Sequence, residues 1–259
     1  MSSPTLTRTQ VRKAALPIGV VGIVLVGVAA TSLGIGAGTA ASIDGDGRSN
    51  RLIGTDRTDT MRGFDGNDRL EGMGGNDRME GLAGQDDVYG GDGRDRIDGG
   101  PDDDRALVGG AGIDLVLGGA GEDRLYGGTE ADGLFGGVGD DYLSTGGYGG
   151  NVRAGSGDDV LVGGYGMDRL DGESHNDRAS GASGNDRLEG GDGNDLLSGE
   201  EGDDSIFGES GLDTVRGGEG NDFIDADDGV PDETVDCGPG AHDIVYADAH
   251  DHVMNCETR

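Results

Sequence analysis

GGAGEDRLY (Gly118 to Tyr126), GGDGNDLLS (Gly190 to Ser198) and GGEGNDFID (Gly217 to Asp225) are three copies of one nine-residue unit. Glycine stands at places 1, 2 and 4, aspartate at place 6 and an aliphatic residue at place 8. Block starts fall every nine residues at Gly54, Gly63, Gly72, Gly81, Gly90 and Gly99. One extra residue enters within Gly99 to Val108, and the frame resumes at Gly109 and runs through Thr145 and Ala154 to Gly217. A weaker block, GDGRSNRLI, precedes them at Gly45, which makes 20 blocks with a single slip.

Place 6 is Asp in 18 of the 20 blocks, the exceptions being Asn50 and Gly150, and place 8 is apolar in every one from Leu52 to Ile224. A disordered Gly/Asp-rich linker has no reason to keep that phase. Paired glycines permit positive φ and close backbone approach, as a tight turn requires. Places 7 to 9 read as a short strand whose middle side chain faces inward. Two nonapeptides then make one coil of turn, strand, turn, strand, and coils stack as parallel strands about 4.8 Å apart. The expected fold is all-β, a parallel β-roll (a right-handed β-helix or solenoid) over residues 45–225.

Residues 18 apart share one side of such a roll. One side holds Asp59, Asp77, Asp95, Asp114, Asp132, Asp168, Asp186, Asp204 and Asp222; the other holds Asp68, Asp86, Asp104, Asp123, Asp141, Asp159, Asp177, Asp195 and Asp213. A solvated acidic turn is the bland account of such columns. Calcium is the sharper one, because this hard cation takes six to eight oxygens, more than one turn offers. The formal charge of −33 supports it, since aligned carboxylates repel without counter-ions. About 14 to 16 bound Ca²⁺, a count set by oxygen-ligand needs, would nearly cancel that charge. The core is thin as well: one buried aliphatic side chain per nine residues cannot offset the entropy of ordering all nine. Metal binding must then contribute folding free energy.

This in-phase recurrence resembles the RTX (haemolysin-type) calcium-binding repeats. The resemblance implies that each Ca²⁺ lies between neighbouring turns on one side and shares their place-6 aspartates. It carries the metal-ligand role onto Asp68, Asp77, Asp86, Asp95, Asp104, Asp114, Asp123, Asp132, Asp141, Asp159, Asp168, Asp177, Asp186, Asp195, Asp204, Asp213 and Asp222. Many members place such repeats beside a toxin, protease or lipase domain. The 259 residues here leave no room for one, so a toxin label does not carry over.

Three blocks break the pattern. In GGPDDDRALV (Gly99 to Val108) the extra residue reads as a β-bulge with the core filled by Ala106 or Leu107. In TGGYGGNVR (Thr145 to Arg153) Gly150 removes the metal aspartate, and Tyr148 invites a surface aromatic cluster with Tyr142 and Tyr165. In GESHNDRAS (Gly172 to Ser180) His175 replaces a turn glycine and Ala179 underfills the core. Arginine occupies place 7 in nine blocks, among them Arg69, Arg78, Arg124, Arg169 and Arg187. A solvated face that eases carboxylate repulsion explains them better than a polyanion-binding stripe.

The ends differ from the repeats. Residues 1–41 carry Arg8, Arg12 and Lys13, an apolar run from Ala14 to Ile35 and a small-residue stretch before Ala41, in the order of a secretory signal peptide. The length of the apolar run also suits a membrane anchor. Either reading puts the repeats outside the cytoplasmic membrane, where calcium reaches the 10⁻⁴–10⁻³ M range, roughly, in which extracellular modules bind it. Residues 226–259 abandon the nonapeptide and hold both cysteines, Cys237 and Cys256, which read as a disulfide in a C-terminal cap. A zinc site of His242, His250 and His252 with Cys256 lacks any CxxC or HxxxH spacing.

No HExxH, GxSxG or P-loop is present, and so acidic a chain with 4% aromatics does not suit nucleic acid or an anionic membrane. The expected function is a secreted, calcium-folded structural or adhesive module. Its partners are calcium ions together with a cell-surface or matrix polysaccharide or protein. The alternative is a calcium-dependent enzyme or effector with a site in residues 145–153 or in the C-terminal segment.

Overall fold

The computed structural model describes residues 40–230, 234–240 and 242–256. The signal-peptide reading of residues 1–41 falls almost entirely outside them. Within them there are 24 strands and no helix, and each strand pairs in parallel with the strand two places on. Leu70 faces Val88 and Leu188 faces Ile206, so the register advances by one coil of 18 residues at a time. About twelve coils stack as a parallel β-roll.

Alternation along each strand decides what is inside. Arg78–Ala83 runs exposed, buried, intermediate, buried from its start, with Met79 at 0% exposure. The place-8 residues form one continuous column of buried side chains, from Leu52 to Ile224. It continues beyond the repeats through Val235 and Val245. Ala179 sits in this column between Leu161 and Leu197 at 4% exposure, which makes it an underfilled layer within an otherwise regular core.

The slip lies just after Asp104. Asp86 N–H reaches Asp104 18 residues on, whereas Asp104 N–H reaches Asp123 19 residues on. Ala106 pairs with Asp87, and Leu107 pairs with Val88 and Leu125. Leu107 is therefore the core residue, fully buried, and Ala106 takes the outward place 7. Arg105 is the bulged residue and does not occupy place 7, which corrects the nine-arginine count for that block. Most of the remaining place-7 arginines pair with acids at place 9: Arg69 Nε lies 2.6 Å from Glu71, and Arg169 lies 2.5 Å from Glu189. Such exposed pairs contribute little stability, but they balance charge on the strand faces.

The C-terminal segment extends the roll. Thr234–Asp236 pairs with Thr214–Arg216, Ile244–Ala247 with Phe223–Ala226, and Val253–Met254 with Val235–Asp236. Cys237 and Cys256 form a disulfide with Cα atoms 5.2 Å apart. A cysteine in a disulfide cannot ligate zinc as a thiolate, so the zinc reading falls.

Candidate functional site

Place 6 is built by its own turn and held by the next coil. Asp59 N–H donates to Asp77 Oδ1 at 2.7 Å, and the Asp59 carbonyl accepts from Arg78 N–H at 3.0 Å. The same link repeats up both sides. One column joins Asp59, Asp77, Asp95, Asp114 and Asp132, then Asp168, Asp186, Asp204 and Asp222. The other joins Asp68, Asp86, Asp104, Asp123, Asp141, Asp159, Asp177, Asp195 and Asp213 without a break. Asn50 substitutes at the lower end, where its N–H donates to Asp68 Oδ1 at 2.6 Å.

These carboxylates are buried at 0–3% exposure, so the solvated-turn reading does not describe them. One oxygen is consumed by the backbone link in all but Asp168, whose Oδ2 accepts from Gly164 N–H of its own turn. In most of them the other, Oδ2, is buried with no hydrogen-bond donor, as in Asp77, Asp141, Asp186 and Asp204. A buried carboxylate oxygen without a partner is costly. Burial accordingly pushes Asp77, Asp132, Asp141, Asp159 and Asp186 up to about 7, and Asp104 and Asp177 up to about 8. The N–H from the preceding coil pulls each the other way, and neighbouring carboxylates push it further up.

Glycine at place 1 has a distinct reason. Around Gly72, a Cβ would stand 2.4 Å from Asp77 Oδ2 and 2.4 Å from the Gly90 carbonyl of the next coil. The carboxylate and the carbonyl therefore converge over a bare Cα. Place 2 instead requires positive φ, which Gly119 adopts at 123° and which Met73 and Glu200 adopt at 78° and 77° despite their side chains.

The irregular block resolves into an exchange of residues. Where place 6 is Gly150, place 1 is Thr145, and Thr145 is fully buried. Its Cγ2 lies 2.6 Å from the point where a Cβ on Gly150 would stand. The threonine side chain thus fills the room that a carboxylate takes in other turns, and the column is interrupted between Asp132 and Asp168. Tyr148 and Tyr165 are register partners and both are exposed, but Tyr142 packs on Tyr126 instead, with centroids 5.7 Å apart. The three tyrosines do not form one cluster. His175 is an exposed turn residue at φ 85°, its Nδ1 2.9 Å from the Ser174 carbonyl.

A second ladder escaped the sequence reading. At place 5, Arg94 N–H donates to Asn76 Oδ1 at 3.0 Å, Asn194 N–H to Asn176 Oδ1 at 2.9 Å, and Asn221 N–H to Asp203 Oδ1 at 2.8 Å. Its links point to the preceding coil, opposite to those of place 6. The recurrence of Asn or Asp before the place-6 Asp was its signal, hidden by the acidic composition.

Among the described residues no three His, Cys, Asp or Glu side chains cluster as a metal site. Side chains alone do not make one here. What the turns offer is carboxylate Oδ2 atoms lacking donors, with backbone carbonyls beside them. That all-oxygen, anionic donor set fits calcium. A model of the RTX calcium-binding nonapeptide repeat matches residues 44–106 and 108–230, leaving out residue 107 beside the bulge. The chain belongs to that family. A search of curated proteins found none that matches. RTX membership carries calcium binding and the β-roll with it. Among the described residues no helix is long and apolar enough to cross a membrane.

Proposed function

We infer that the place-6 aspartates, Asp68 to Asp222 along the two columns, hold Ca²⁺ between successive coils and that the roll folds on binding them. The observation that carries this is the row of buried Oδ2 atoms without donors. With the columns buried and anionic, the metal-free roll pays for every carboxylate it encloses. Calcium reverses the sign of that term, so it acts as a folding cofactor. A far-UV circular dichroism titration tests this: strand signal should appear with Ca²⁺ and vanish in excess EGTA. A strand spectrum indifferent to EGTA would overturn it.

The same reading makes the chain a secreted module with a structural or adhesive role at a cell surface or in a matrix. Its acidic composition, the leader-like residues 1–41 and the match to repeats over most of the chain support this. Residues 226–259 close the end of the roll. Calcium-dependent retention on cells or polysaccharide, lost in EGTA, is the expected behaviour. Substrate turnover abolished by changes in residues 145–153 or the C-terminal segment would favour an enzyme or effector instead.

A further inference from the structure

The family match ends at residue 230, yet the column that contains Asp222 does not. Asp222 N–H donates to Asp243 Oδ1 at 3.0 Å, and Asp243 is fully buried. Asp222 is itself 2% exposed, and its Oδ2 is buried without a hydrogen-bond donor. The separation is 21 residues rather than 18, which hides the continuation from a count of nonapeptides.

The intervening turn copies the repeat in its geometry. Cys237 takes place 1: its carbonyl lies 2.4 Å from where a Cβ on Gly217 would stand, the point that Asp222 Oδ2 also approaches to 2.4 Å. Gly238 takes place 2 at φ 87°, and Gly240 takes place 4 against the Gly220 carbonyl. Val245 then enters the core opposite Ile224. The disulfide to Cys256 and the Cys237 N–H bond to the Met254 carbonyl at 3.1 Å pin the turn that presents the Cys237 carbonyl.

We propose that the C-terminal segment carries a further Ca²⁺ position of its own, between the carboxylates of Asp222 and Asp243 and beside the Cys237 carbonyl. It rests on the calcium reading of the repeats. Two carboxylates and a fixed carbonyl give it the same hard, anionic oxygen set. The disulfide, which no nonapeptide turn has, preorganises this last position.

Native mass spectrometry of the full chain in saturating Ca²⁺ counts the ions. Asp243→Asn should carry about one ion fewer than wild type, and the exposed-charge control Glu219→Gln should carry the wild-type number. An unchanged count in Asp243→Asn overturns the proposal. So does the loss of several ions, which would make Asp243 a closing piece for the whole column rather than the ligand of one site. If Asp243→Asn no longer folds, calorimetric titration of Asp243→Glu decides instead: one weakened site supports the proposal and a wild-type isotherm overturns it. A wild-type chain that bound no Ca²⁺ would overturn the reading of the repeats, a separate failure.

Discussion

Repairing the interrupted column gives the most discriminating prediction. Gly150→Asp alone places a Cβ 2.6 Å from Thr145 Cγ2, well inside the 3.5–4.0 Å, roughly, of a comfortable carbon contact. Overpacking of this kind costs about 1–3 kcal/mol. Thr145→Gly alone empties a fully buried position and loosens the backbone, for about 1–2 kcal/mol. The double substitution restores the Gly/Asp pair of the other turns, so each change removes the fault of the other. A coupling of at least about 2 kcal/mol in the stabilising direction follows. The cycle belongs in saturating calcium, because without the ion the new carboxylate is another buried charge. Denaturant unfolding of wild type, both single variants and the double variant in saturating Ca²⁺ measures the cycle; native mass spectrometry should find more ions in the double variant. Additive losses would refute the claim that Thr145 occupies carboxylate space.

In EGTA, acidification should favour the roll. Burial raises Asp77 to about 7 and Asp177 to about 8 from 3.8, so the folded chain holds protons that the unfolded chain has released. That contribution is complete below pH 3.8 and is lost as pH rises through about 6–8, so strand signal in EGTA should grow from pH 8 to pH 5; a pH-independent spectrum would contradict it. Leu188→Ala, at a fully buried core position, should cost about 2–5 kcal/mol in calcium-loaded unfolding. Met73→Gly relieves a positive φ in an exposed residue and should gain up to about 1 kcal/mol; destabilisation would show that the side chain has another role. Cys256→Ser opens the loop closed by cysteines 19 residues apart and should cost about 3 kcal/mol, read as a lower melting temperature with calcium present.

The period of nine carried most of the architecture, because the two quantities that define a β-roll, inward place 8 and turning places 1 to 6, recur in fixed phase. Whether Ala106 or Leu107 filled the core was undecidable from residue types, since both are apolar. Only strand register separates them, and it assigns the extra residue to Arg105. The exchange of Thr145 for a carboxylate was illegible for a different reason. Gly150 looks like simple loss until the buried threonine across the turn is seen to take the same volume. Asp243 was missed because an insertion of three residues breaks the period while the backbone geometry survives it.

The carboxylate links run one way along the chain. The linked place-6 N–H groups find their acceptors in the coil that follows in sequence, as Asp59 does in Asp77 and Asp204 in Asp222. A chain that emerges N-terminus first therefore always ends in a coil whose acceptor has yet to appear. The place-5 links look back to the coil before, so each added layer holds the roll through donors of its own and supplies the acceptor that the layer below lacked. Asp243 supplies that acceptor to Asp222, beside the Cys237–Cys256 bridge.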